Sequence, residues 1–413
     1  MKRFSGLLAG AGLFTFTITG ASAAHAQPNK DELWRMIQKQ QKQIEMLQNK
    51  IEQTDEKAEI VADELESAKN NNAASGGFGG GWWDKTSLGG YGELHYNNFL
   101  DSDDGTDEVD FHRFVLFIGH EFTDNIRLFT ELELEHSLAG EGAPGEVELE
   151  QAFIEFDLND KHQAQAGLFL LPVGLLNETH EPNTFFGTER NPIEVNVIPT
   201  TWWEAGVGAK GELGQGFSYH VGFHSGLNTP TAGSNAFRIR SGRQKVAEAI
   251  AESGAVTGAV RYTGVPGLRL GLTGQYQSDV TQDSFSEEIS ATFVEAHADY
   301  KKGPWGLRAL YARWDLDGAA PAALGRDEQY GFYVEPSYKF ETGKGDLGVF
   351  ARYNQWDNEA GSGTLSAGNN TQWDVGMNFW PHDNVVLKAD LSFLEEANGD
   401  EAEILNLGVG YQF

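Results

Sequence analysis

The sequence predicts an all-β fold: a transmembrane antiparallel β-barrel of about sixteen strands, preceded by an N-terminal coiled-coil helix. Three observations carry this. Segments alternating apolar and polar side chains run from about residue 85 to the C-terminus. The connectors between them alternate short and long. Beyond the N-terminus no stretch approaches the roughly 20 apolar residues a spanning helix needs. Gly (50 residues) and aromatics (12%) are abundant, and a mean hydropathy of -0.42 suits strands that hide their apolar residues by alternation.

The chain divides in order. Residues 1–26 read as a signal peptide: basic Lys2 and Arg3, an apolar stretch from Phe4 to Gly20, then Ala24-His25-Ala26 with small residues where a signal peptidase reads. Residues 27–69 read as a periplasmic coiled-coil helix. Leu33, Ile37, Gln40, Ile44, Leu47, Ile51, Thr54, Ala58, Val61, Leu65 and Ala68 form an uninterrupted heptad seam. Residues 70–84 are a Gly-rich linker and 85–413 the barrel.

Strands are expected near 87–99, 109–122, 126–136, 146–158, 162–170, 201–211, 217–226, 255–263, 267–278, 288–300, 305–315, 328–340, 346–357, 371–380, 384–395 and 402–413. In the third, Ile126, Leu128, Leu132 and Leu134 alternate with Arg127, Phe129, Glu131, Glu133 and Glu135. One face suits lipid and the other water, at the period of two that a strand imposes. Short connectors carry turn residues, as in Thr123-Asp124-Asn125 and Pro381-His382-Asp383-Asn384. The longest connectors span 171–200 and 227–254. Trp residues cluster near strand ends, where membrane interfaces favour amphipathic rings.

There are no cysteines, which excludes disulfides and thiol chemistry. A formal net charge of -31 argues against nucleic-acid binding, which needs basic patches. No G-x-S-x-G or P-loop frame is present, so no enzyme is expected. The acidic run Asp101–Glu108 lacks the twelve-residue calcium-loop spacing; no metal site and no cofactor are predicted.

The chain ends in Tyr411-Gln412-Phe413, similar to the C-terminal signal by which outer-membrane barrels are recognised for assembly. Gly167-Leu168-Phe169-Leu170-Leu171-Pro172-Val173-Gly174, Phe185-Phe186-Gly187-Thr188-Glu189-Arg190-Asn191 and Ile198-Pro199 through Trp203-Glu204-Ala205-Gly206-Val207 resemble the phosphate-selective porin O and P family. The resemblance spans the barrel. It implies a sixteen-stranded homotrimer in the outer membrane of a Gram-negative bacterium, in contact with lipids, lipopolysaccharide and the barrel assembly machinery. Its third loop would fold into the pore, and the channel would pass small polar or ionic solutes, phosphate among them.

Loop 3 (171–200) is therefore the expected constriction, carrying Glu178, His180, Glu181, Glu189, Arg190 and Glu194. Strand parity places Arg113, Arg127, Glu131, Glu133, Arg261, Arg269, Arg352 and Lys388 on the pore wall. Arg238, Arg240, Arg243 and Lys245 form a basic cluster in loop 4, suited to attracting anions at the mouth. Tyr411 and Phe413 are the assembly signal. Four Glu against one Arg in loop 3 point to a weakly selective channel, neutral to mildly cation-preferring. The alternative is a structural or adhesive barrel with a blocked lumen.

Overall fold

The computed structural model describes residues 82–413 except 101–105 and 365–367. The expected signal peptide, coiled coil and nearly all of the linker lie outside the described residues, as does most of the acidic run before Glu108. Trp82–Lys85 form a single 3-10 turn.

Sixteen antiparallel strands follow in one closed sheet, each paired with its neighbours in sequence. They are β1 (Thr86–Phe99), β2 (Glu108–Thr123), β3 (Ile126–Glu135), β4 (Val147–Asn159), β5 (His162–Leu170), β6 (Trp203–Gly214), β7 (Phe217–His224) and β8 (Ala255–Tyr262). Then come β9 (Leu268–Gln277), β10 (Ser290–Lys302), β11 (Trp305–Asp317), β12 (Glu328–Thr342), β13 (Gly345–Asp357), β14 (Asn370–His382), β15 (Val385–Glu395) and β16 (Glu401–Gln412). All sixteen agree with the expected segments to within three residues at either end.

Closure is made by β1 against β16, from Tyr91 opposite Gln412 to Phe99 opposite Ile404. Phe413 extends it by one step: its N–H donates to the Gly90 carbonyl at 2.9 Å and its carbonyl accepts from Gly90 N at 3.0 Å. Its ring stacks on Phe114, with centroids 6.2 Å apart. The terminal aromatic thus occupies the seam where the last strand meets the first.

The sidedness is inverted relative to a water-soluble protein. In β9 the outward Leu270, Leu272 and Tyr276 are exposed while the inward Thr273, Gln275 and Gln277 are buried. Polar residues inside and apolar residues outside are what a barrel in lipid requires.

The interior has its own apolar core. Leu171, Val173, Ile193, Val197, Ile198 and Trp202 of loop 3 pack with Leu227, Phe237 and Ile239 of loop 4 and with Phe293, Trp314 and Leu316 of β10 and β11. The Trp314 ring lies 4.6 Å from Phe293 and 6.0 Å from Trp202, centroid to centroid, and its Nε1 donates to the Val197 carbonyl at 3.1 Å. This cluster folds loops 3 and 4 inward.

Candidate functional site

Loop 3 crosses the lumen because the wall offers it both space and donors. Inward glycines clear its path: a Cβ on Gly410 would lie 2.4 Å from Pro182, and one on Gly348 2.7 Å from Phe186. Wall side chains then bind the backbone of the loop. Lys388 Nζ donates to the Gly187 carbonyl at 2.8 Å, Asn378 to Phe185 at 2.9 Å, Arg308 to Thr184 at 2.9 Å and Arg352 to Phe186 at 3.2 Å, while Thr188 N donates to Asp390 at 2.7 Å.

The predicted wall residues all project inward, but they are not free charges facing solutes. Arg352 sits between Glu335 (3.1 Å) and Asp374 (3.0 Å), and Arg113 between Glu93 (2.9 Å) and Glu133 (3.4 Å). Arg261 pairs with Glu178, while Arg269 meets Asp299 at 2.5 Å. Arg127 pairs with Glu155 at 2.7 Å and with Asp157, beside the short turns and away from the constriction. Parity gave the direction of each side chain; it carried no information about partners across the sheet.

The loop carboxylates are largely engaged too. Glu194 is a correction to the expected pore-facing set. It is 1% exposed, and its carboxylate accepts from Leu175 N (2.6 Å), Leu176 N (2.7 Å) and Asn191 Nδ2 (2.8 Å), tying the loop to itself. Glu189 meets His95 Nδ1 at 2.9 Å and accepts from Asn97 at 3.2 Å. Burial pushes its carboxyl up, but His95 outweighs that and holds it at about 2. Glu178 faces Arg261 and His220. His180 faces Glu131 and Glu150 at 3.6 Å each. Burial and Arg190 push its imidazole down, and those two carboxylates outweigh them, lifting it to about 9.

Above this layer, on the side of the long loops, opens a cavity of about 880 Å³. One wall is acidic, with Glu93, Asp110, Glu135, Glu148 and Glu150; the other carries Arg190, Arg238, Arg240, Arg243 and Lys245. Loop 4, folded inward on buried Ile239, delivers most of the basic wall. Arg240 Nε donates to the Val195 carbonyl and an Arg243 N–H to the Thr201 carbonyl, both at 2.6 Å. Lys245 is spent on Glu146 (2.7 Å) and Glu148. Arg190, Arg238, Arg240 and Arg243 form no ion pair within 4.0 Å with any described carboxylate. Burial first, then the adjacent Arg240 and Arg190, push the Arg243 guanidinium below its ordinary value. Arg238 is pushed down likewise by burial, Arg240 and Arg326. Arg240 thus disfavours the charge of both neighbours.

The comparisons with known proteins agree with this architecture. Residues 89–403 match the family model described as phosphate-selective porin O and P. The chain belongs to that family. It is an outer-membrane channel protein. A protein from Aquifex aeolicus (strain VF5), described only as uncharacterized, is 29% identical over 351 residues, covering 79% of this chain and 80% of that one. Among solved structures, the anion-selective porin from Comamonas acidovorans is similar with a TM-score of 0.56 at 13% identity, over 79% of this chain and 99% of that one. Salmonella typhi OmpF in complex with daunomycin gives 0.56 at 15%, over 79% and 97%. The outer-membrane channel DcaP of Acinetobacter baumannii gives 0.53 at 13%, over 79% and 97%.

Proposed function

We propose that this protein is a passive porin for small polar solutes whose vestibule favours small anions, phosphate among them, and that it works as a homotrimer. The observation that supports the selectivity is the unpaired arginine wall. The sequence-based lean toward cations weighed formal charges in loop 3 together with a near-balance of Glu131, Glu133, Glu155, Glu295 and Asp390 against Arg and Lys on the inward strand faces. In the folded chain three of the four loop glutamates, Glu178, Glu189 and Glu194, are engaged by basic, imidazole or backbone groups. The four arginines around the cavity keep uncompensated charge. Guanidinium forks match phosphate oxygens in pairs, which a single ammonium does not.

The homotrimer rests on the family and on porin neighbours, one of which, OmpT of Vibrio cholerae, is described in a trimer form. A channel is favoured over an enzyme by the family match and the porin-like barrel. The second reading, a barrel with a blocked lumen, draws on the apolar core between loops 3 and 4 and β10–β11.

Planar bilayers test both. Purified protein in a potassium chloride gradient should show discrete channels with a chloride-preferring reversal potential, and added phosphate should reduce the chloride current. Replacing Arg190, Arg240 and Arg243 by Gln should abolish the preference. A cation-preferring reversal potential would overturn the anion reading, and absence of any current would favour the blocked barrel.

A further inference from the structure

Where loop 3 crosses the barrel, one imidazole is set against two carboxylates of the inner wall. We propose that Glu131 of β3, Glu150 of β4 and His180 of loop 3 bind one divalent transition-metal ion of the zinc type, fastening the constriction loop to the wall.

Geometry comes first. His180 Nε2 stands 3.6 Å from Glu131 Oε1 and 3.6 Å from Glu150 Oε2, and the three atoms all lie within 4.8 Å of one another. Nitrogen–oxygen hydrogen bonds run to about 3.2 Å, so these separations are too long for them. Ligand atoms at about 2.0–2.1 Å from a tetrahedral zinc stand roughly 3.3–3.4 Å apart, so each imidazole–carboxylate separation is within a few tenths of an ångström of that spacing.

The same three atoms are the ones with no hydrogen-bond partner, although all three residues are at most 3% exposed. Two of their other polar atoms, on Glu131 and His180, are held as the outer groups of a metal site are. Gln151 Nε2 donates to Glu131 Oε2 at 2.6 Å, and His180 Nδ1 lies 3.1 Å from the Asn177 carbonyl. A carbonyl only accepts, so Nδ1 carries a hydrogen, and Nε2 is the nitrogen that faces the carboxylates and can bind a metal once its own proton is lost.

The carboxylates of Glu131 and Glu150 supply the two negative charges that a divalent cation balances. On binding, the proton otherwise carried by Nε2 leaves to solvent. One nitrogen and two oxygens, with no sulfur, suit zinc and its first-row neighbours rather than copper(I). Calcium prefers six to eight oxygens, more than this layer supplies. The ion has a route in, because Glu150 lines the vestibule cavity and Gln151 lines a second cavity on the side of the short turns.

Asp110, His112 and His136, also close together, make a control, since the Asp110 carboxylate is already hydrogen-bonded to both rings at 2.9–3.1 Å. Untagged full-length protein in detergent is stripped with EDTA, incubated with zinc chloride, desalted and assayed for metal by mass spectrometry. The parent should retain one zinc per chain. H180Q and E150Q, compared at equal strand content by circular dichroism, should retain at least about tenfold less, and H112A should match the parent. Cobalt(II) on the unmutated protein should show the visible bands of a four-coordinate ion, a readout that needs no variant. Zinc retention no greater in the parent than in H180Q, retention lost in H112A but not in H180Q, or absence of the cobalt bands would overturn the site. None of these measurements involves conductance, so their failure leaves the transport reading untouched.

Discussion

The loop side of the lumen is filled in two opposite ways. Against β10 and β11, loops 3 and 4 meet the wall through Trp202, Trp314, Phe293, Ile193 and Ile239, packed like the interior of a soluble domain. Against β1–β4 the same loops leave open space bordered by ionised side chains. The first region fixes where the loops sit; the second uses that placement to set opposite charges across a gap. The difference explains why loop 4 matters electrostatically although it contributes no strand to the wall. Its apolar Ile239 is the anchor that turns Arg238, Arg240 and Arg243 toward the cavity.

The largest effect should come from breaking the anchor. Trp314→Ala removes a fully buried ring that touches loop 3 and β10, and its Nε1 hydrogen bond, at a cost of about 3–5 kcal/mol. Loops 3 and 4 should loosen together, giving a lower melting temperature, protease cleavage within 171–200 and larger, noisier single-channel currents. Unchanged currents with a lowered melting temperature would separate the packed region from the charged one and contradict this coupling.

Neutralising the charged side should instead leave stability nearly intact. Arg240→Gln with Arg243→Gln keeps side chains able to reach the Val195 and Thr201 carbonyls while removing two positive charges. Chloride-over-potassium preference should fall several-fold, more at low salt than at high, because screening acts within about 10 Å at 0.1 M. Equal shifts at both ionic strengths would argue against a field effect.

A smaller effect tests the path of the loop. Gly410→Val would bring a new Cβ to 2.4 Å from the Pro182 Cβ, a clash that one of the two segments must relieve by moving, at a cost of about 1–3 kcal/mol. Loop 3 should shift without leaving the lumen, read as an altered conductance at unchanged ion preference.

How much of this the sequence displayed follows from the range of the forces. Strand positions depend on period-two patterning, a local property, and all sixteen were legible to within three residues. The inward direction of Arg113, Arg352 and Lys388 followed from the same parity. Their partners did not, because Glu335, Arg352 and Asp374 come from three strands whose register no local pattern reveals. Glu194 looked like a pore charge because a carboxylate in a loop is usually solvated, yet it serves as an acceptor for the backbone of its own loop. Arg190 and the loop 4 arginines are some fifty residues apart in the chain. Only the apolar core brings them to one wall, so a count of charges within loop 3 does not include them. The Glu131–Glu150–His180 cluster was invisible for the same reason: no ligand spacing exists within one segment.

The smallest expected effect is on pH dependence, and its sign follows from Glu189. In the folded protein His95 holds this carboxyl at about 2, below its ordinary value of about 4.3. A depressed folded value means the unfolded chain binds the proton more readily, so the pair stabilises the fold above the ordinary value and loses that contribution as pH falls toward 2. From pH 7 to pH 5 the Glu189 contribution should be flat. Between about pH 4.3 and pH 2 it should decline, and Glu189→Gln should remove that decline while shifting the melting temperature at pH 5 only slightly, because the side chain is 45% exposed and well screened. Parallel melting curves for parent and Glu189→Gln across the acid range would show that the loop is held at this point by packing rather than by charge, extending the apolar region's role to the charged side of the lumen.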